Sequence, residues 1–131
     1  MRVGVDLGGT KIEAAAFDND CRELARRRIT TPRGDYSATV SSITELVGSI
    51  ESNLGCGAAR VGIGIPGTVF PSTGLVKNAN STWLIGQPLD RDLVAALGRP
   101  VRLELTILIA SRYLKPWTAP VPRCIAFLGL F

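Results

Sequence analysis

No stretch of this 131-residue chain approaches the ~20 consecutive apolar residues that a membrane-spanning helix requires. The N-terminus, MRVGVDLGG, carries a charge at Asp6 inside its apolar run and does not read as a signal peptide. Cysteine is scarce: Cys21, Cys56 and Cys124 are odd in number, far apart, and form no CxxC pair. That argues against both a disulfide framework and a zinc site. The cytoplasm is therefore the expected compartment, with no membrane partner. A dense basic patch is also missing. The net charge is +4, yet the only basic run is Arg26-Arg27-Arg28, inside a strand-like segment and without interleaved aromatics. A solvated strand face is expected there, and nucleic acid is not an expected partner. The chain has no internal repeat.

What is present is ordinary globular composition, 46% hydrophobic and 20% charged, enough for one α/β core at this length. Residues 2–7 alternate, with Val3, Val5 and Leu7 on one face, and predict a strand. Turn residues Gly8-Gly9-Thr10 lead into a second strand, Lys11 to Phe17. Asp18-Asn19-Asp20 leads into a third, Glu23 to Thr30. Asp35 is placed as the N-cap of a long amphipathic helix with Tyr36, Val40, Ile43, Val47, Ile50 and Leu54 on one face, ended by Gly55 to Gly57. A fourth strand spans Arg60 to Ile65, a short one Gly74 to Lys77, and Asn78 to Gly86 has no usable period. A short helix from Asp90 to Leu97 closes at Gly98, and Val101 to Glu104 begins another strand. The order β-β-β-α-β-α-β fits half of a ribonuclease-H-like, actin-type fold. A dinucleotide-binding unit would place a helix, not a hairpin, after the glycines.

Three motifs carry chemistry. In Asp6-Leu7-Gly8-Gly9-Thr10-Lys11, glycines at a hairpin tip allow backbone N–H groups to approach a phosphate. Thr10 adds a hydroxyl, Lys11 a positive charge, and Asp6 a carboxylate able to hold Mg²⁺ directly or through water. The motif lacks the spacing of a Walker loop. Gly62 to Gly67 (GIGIPG) is a strand ending in a sharp turn that exposes backbone to a cleft. In Lys77 to Trp83 (KNANSTW), asparagine amides suit vicinal sugar hydroxyls, and Trp83 is either an apolar wall or a core residue.

In this order and spacing the motifs resemble the ROK family (repressors, open reading frames and sugar kinases), nearest its bacterial fructokinase and manno(fructo)kinase branch. The stretches VGVDLGGTKIEAAAFD, GIGIPGTVFPSTGLVKNANSTWLIGQPLDRDL and PVRLE carry the likeness over residues 1–104. The resemblance implies the N-terminal lobe of a bilobal, actin-like kinase that moves the γ-phosphate of ATP to a fructose or mannose hydroxyl. It places Asp6, Gly8, Gly9, Thr10 and Lys11 at the ATP phosphates, Asp6 at Mg²⁺, and Gly67, Asn78 and Asn80 at the sugar. It also implies a homodimer for intact members.

The departures from the family pattern matter equally. Members continue from this last strand into Asn-Asp-Ala-Asn, whose aspartate is the general base; here Leu105-Thr106-Ile107-Leu108 follows Glu104. No catalytic residue is therefore assigned, and the family's zinc motif is absent. Residues 105–131 read as an aberrant, out-of-frame tail. Shifted by one base, codons for Leu105 to Arg123 can spell NDSNCFALSEAVDGAGAA, which resembles the family continuation. The apolar segment Leu105 to Ala110 is an expected strand extension and aggregation site, and Pro116, Pro120 and Pro122 exclude a long helix beyond it. The expected result is an inactive kinase fragment. The alternative is a non-catalytic sugar- or nucleotide-binding regulator of the ROK type. Such regulators carry a helix-turn-helix ahead of the core, and a first strand beginning at Arg2 leaves none expected here.

Overall fold

In a computed structural model, which describes residues 1–105, the alternating first segment forms strand β1 (Arg2–Leu7). Its Val3, Val5 and Leu7 side chains are buried on one face, as period-two patterning demands. β1 pairs antiparallel with β2 (Lys11–Phe17), and β2 antiparallel with β3 (Glu23–Thr30). Helix α1 (Tyr36–Leu54) starts where Asp35 accepts a hydrogen bond from the Ala38 N–H, and ends at left-handed Gly55. Its buried stripe is Thr39, Ile43, Leu46, Val47 and Ile50, while Tyr36, Val40 and Leu54 pack at the rim. Truncating a fully buried residue such as Ile43 to alanine would cost about 2–5 kcal/mol.

β4 (Arg60–Ile65) follows and pairs parallel with β1. A two-stranded ribbon, β5 (Thr68–Val69) with β6 (Val76–Lys77), then leads to helix α2 (Leu89–Leu97). β7 (Val101–Leu105) lies parallel to β4, giving the sheet order β3-β2-β1-β4-β7. The expected element order is thus present, with the ribbon added. Alternating residues of β1, β2 and β4 pack with the α1 stripe, Leu89 and Leu93 into one core.

The opposite sheet face is built differently. The pairing register sets Ala15, Gly4, Gly62 and Arg102 in one cross-strand row. Arg28, Glu13, Asp6, Gly64 and Glu104 form the next, nearer the carboxyl ends of the parallel strands.

Several expectations are corrected. The strand expected from Gly74 begins at Val76, because Gly74 sits in a turn with φ near 69°. The irregular loop 78–86 holds a single 3₁₀ turn, Thr82–Leu84. Helix α2 begins one residue before Asp90 because Leu89 is fully buried in the core. Arg26 and Arg28 are not merely solvated: both pair with Glu13, and Arg26 also with Glu23. The expectations for the tail beyond Leu105 lie outside the described residues. Among those described, no helix is long and apolar enough to cross a membrane.

Candidate functional site

Because β1, β4 and β7 run parallel, their carboxyl ends meet along one edge, and the sequence motifs gather there. The β1–β2 turn is closed by the Gly8 N–H donating to the Lys11 carbonyl at 2.9 Å. Gly8 must be small: a Cβ there would stand 2.7 Å from that carbonyl oxygen. Gly9 has no such constraint. Its φ is not in the left-handed region, and the nearest atom to an added Cβ would be Ser81 Oγ at 3.7 Å. Neither the Gly9 nor the Thr10 N–H finds an acceptor among the described residues. The glycine at position 9 leaves open space beside donors, which is what an anion requires. Thr10 and Lys11 are exposed at the tip, and Asp6 is exposed at the end of β1.

Thr31, just past β3, tethers this turn. Its N–H donates to the Thr10 carbonyl at 3.0 Å, and its hydroxyl donates to the Gly8 carbonyl at 2.8 Å. Thr31 is 2% exposed. Thr31 carries no motif in the sequence, so its anchoring role was missed.

The second motif meets the third under Gly67. A Cβ at Gly67 would lie 2.8 Å from Ala79 Cβ and 2.9 Å from the Lys77 carbonyl oxygen. Gly67 is therefore buried beneath the loop rather than open to a pocket, and its smallness lets the asparagine segment approach β4. The Asn80 N–H donates to the Pro66 carbonyl at 3.2 Å, fixing the backbone while the residue stays exposed. Asn78, with φ near 53°, occupies a left-handed bend that asparagine tolerates. It sits exposed on the far side of buried Ala79. Trp83 Nε1–H donates to Thr39 Oγ1 at 3.1 Å, which pins the loop to α1, and the ring packs against the core.

The two loops come close where Gly9 faces Ser81. The Ser81 side chain is 1% exposed, and its hydroxyl has no hydrogen-bond partner among the described residues. Sequence reasoning passed over it inside KNANSTW.

Charge near the edge is organised by the row containing Asp6. Burial alone would raise the Glu13 carboxyl. Hydrogen bonds and charge from Arg28 and Arg26 outweigh it and hold Glu13 below the usual carboxylate range. Glu104 lies in the same row two strands from Asp6, so register does bring it to that face. Arg102 occupies it, with Nε and Nη2 donating to Oε1 at 3.1 and 2.9 Å. Among the described residues no group of three or more acidic, His or Cys side chains could hold a metal alone. Asp6 as a single carboxylate still fits Mg²⁺, which keeps several waters and takes further ligands from phosphates.

Comparison with known proteins gives concordant results. A family model described as the ROK family matches residues 2–110. An N-acetyl-D-glucosamine kinase of Haemophilus influenzae is 39% identical over 104 residues, covering 79% of this chain and 34% of the relative. The solved structure of a ROK family glucokinase from Streptomyces griseus, in complex with glucose and AMPPNP, superposes with a TM-score of 0.73 at 30% identity. That alignment covers 84% of this chain and 34% of that one. A ROK hexokinase from Thermus thermophilus gives a TM-score of 0.71 at 33% identity, covering 82% of this chain and 36% of the other. The chain thus spans about a third of the length of the relatives it matches. The architecture is that of the N-terminal lobe of a ribonuclease-H-like, actin-like ATPase.

Proposed function

The chain belongs to the ROK family, and on that premise we propose that it carries the phosphate turn and part of the sugar loop of an ATP-dependent hexose kinase. The observation that carries the proposal is the β1–β2 turn. Its Gly9 and Thr10 N–H groups, without acceptors among the described residues, and its unobstructed Gly9 stand at the carboxyl edge of the parallel strands, against the loop that bears Asn80. Gly8 sets the turn, while Gly9, Thr10 and Lys11 bind phosphate oxygens through backbone donors, a hydroxyl and a charge. Asp6 would hold Mg²⁺ carried with the nucleotide, and the ion would neutralise phosphate charge when bound. Asn80 orients the sugar hydroxyls. Gly67 and Asn78 serve by shaping the loop that presents it. A cytoplasmic setting belongs to the same proposal, since it supplies both ATP and Mg²⁺.

For the acceptor, the relatives move the expectation from fructose or mannose to N-acetylglucosamine or glucose, the sugars their names carry. Fructose or mannose remains a second reading, favoured by the Lys77 to Trp83 segment with Gly86-Gln87-Pro88 behind it.

The 131-residue chain itself is proposed to be inactive. Phosphoryl transfer requires donor and acceptor to be held in line, and a positioned base contributes ~10²–10⁴-fold. Glu104 is engaged by Arg102 and does not supply that base. A coupled ADP-release assay should show no sugar-dependent turnover by this chain with glucose, N-acetylglucosamine, fructose or mannose. A version with the reading frame restored after Glu104 should turn over at least one of them. Turnover by the short chain, or none by the restored one, would overturn the proposal. Sequencing the coding DNA across Glu104 tests the frame directly.

A further inference from the structure

The hydroxyl of Ser81 is the least explained polar group among the described residues. It is 1% exposed and makes no hydrogen bond, although a buried unmade hydrogen bond costs stability. Removing it would be easy for a sequence, since alanine fits wherever serine does. Its position suggests why it is there. It lies between the two loops assigned above to phosphate and to sugar, one residue after Asn80 and facing Gly9. An added Cβ on Gly9 would be 3.7 Å from Ser81 Oγ, with no other atom within 4 Å among the described residues beyond its chain neighbours. The empty space at Gly9 and the unused donor at Ser81 therefore open onto each other.

We propose that the Ser81 hydroxyl donates a hydrogen bond to the terminal phosphate of the nucleotide held on the Gly8–Thr10 turn. The inference rests on the phosphate reading of that turn and adds a side-chain donor from the opposite loop. A phosphate oxygen lodged roughly where the missing Gly9 side chain would be needs to come only about an ångström closer to reach O–H···O distance. Being charged, it is a strong acceptor, and low local dielectric strengthens the bond further. Of the nucleotide's phosphates, the one nearest the sugar loop is the one to be transferred. Ser81 thus contacts the terminal phosphate of ATP and leaves ADP untouched. The contact also couples the loops. Seating the phosphate against Ser81 draws the residue after Asn80 toward the turn, and this brings acceptor sugar and phosphate into one geometry.

The test is a calorimetric titration of the 131-residue chain and its Ser81→Ala and Ser81→Cys variants with ATP–Mg²⁺ and, separately, ADP–Mg²⁺. Ser81→Ala should weaken ATP about tenfold, in line with a hydrogen bond to a charged group, while ADP affinity stays the same. Without ligand its melting temperature should be unchanged or higher, because an orphaned hydroxyl has been removed. Ser81→Cys, nearly isosteric with a weaker donor, should fall between and gives the answer if the alanine variant folds poorly. Unchanged ATP affinity in both variants, or equal weakening of ATP and ADP, would overturn the role of Ser81 and leave the turn assignment standing. If the wild-type chain binds neither nucleotide, the turn assignment fails and the Ser81 contact fails with it.

Discussion

Adjacent glycines in the β1–β2 turn should respond to the same substitution in opposite ways. At Gly8 an alanine Cβ would stand 2.7 Å from the Lys11 carbonyl oxygen, which is backbone and part of the hydrogen bond closing the turn. Something must shift, and overpacking of this kind costs about 1–3 kcal/mol. At Gly9 the nearest atom is Ser81 Oγ at 3.7 Å, an ordinary contact, and φ is not in the left-handed region. There, alanine should be neutral or stabilising by about 0.4–1 kcal/mol, because it restricts the unfolded chain. Binding should run the other way. Gly9→Ala fills the space assigned to a phosphate oxygen, and losing one charge-assisted hydrogen bond costs about 1.5–3 kcal/mol, or ~10–150-fold in ATP affinity. Urea denaturation of both variants, followed by ATP–Mg²⁺ titration of whichever remains folded, separates the effects. Gly9→Ala binding ATP like wild type would refute the reasoning about position 9. Gly8→Ala as stable as wild type would refute the reasoning about the turn.

The remaining expectations concern the sugar loop, the helix ends and the tether between the helices. Asn80→Ala should change stability by under about 0.5 kcal/mol, because the residue is exposed and its backbone bond to Pro66 survives. In the frame-restored enzyme it should weaken sugar binding by about 1–3 kcal/mol and barely affect ATP, as read from the two Michaelis constants. Glu51 caps Ala58 and pairs with Arg99; burial would raise its carboxyl, but those partners outweigh burial and lower it. A lowered folded value means the stabilisation is full above the ordinary glutamate range and is lost as pH falls through the folded value. Glu51→Gln should therefore cost about 1–3 kcal/mol at pH 7 and flatten the acid limb of a stability profile below about pH 5. An unchanged limb would count against it. Tyr36 donates to Asp92 Oδ2 at 2.5 Å, and burial together with that carboxylate pushes the phenol above its ordinary range. Tyr36→Phe should destabilise by about 1–3 kcal/mol, measured by denaturant midpoint at constant slope.

Periodicity made most of the architecture legible in the sequence. β1, β2, β3 and β4 begin and end where apolar patterning and turn residues placed them, because the turns between them are punctuated with Gly, Asp or Asn. Asp35 and Gly55 bound α1 as expected, since capping is local chemistry. What escaped was non-local. β5 is two residues long and carries no period, and Leu89 joins α2 because the core takes it. In the site, the type of Gly8 and Gly9 was readable, but not that only Gly8 is sterically required. At Gly67 the close packing against Ala79, twelve positions later, had no sequence signal. Ser81 and Thr31 gave no sequence signal, because a lone hydroxyl acquires meaning only from what folds against it.

Topology explains why these residues converge. Parallel strands β1, β4 and β7 send their carboxyl ends to one edge, where backbone leaving a strand is free to turn toward a ligand. After β1 the chain makes a hairpin rather than entering a helix, so the proposed anion site is not a helix N-terminus. Its donors are the N–H groups of a short turn, and such a turn is soft unless held from outside. Thr31 holds it from the β3 side through two hydrogen bonds, and the asparagine loop abuts it at Ser81. That loop is in turn fixed by Gly67 beneath it, the Pro66 carbonyl beside it, and Trp83 pinned to Thr39 of α1. The β1–β2 turn and the loop bearing Asn80 are thus braced by separate parts of the same lobe and face each other across one small gap. A ligand oxygen placed in that gap would touch both, the arrangement on which the proposed phosphoryl transfer would draw.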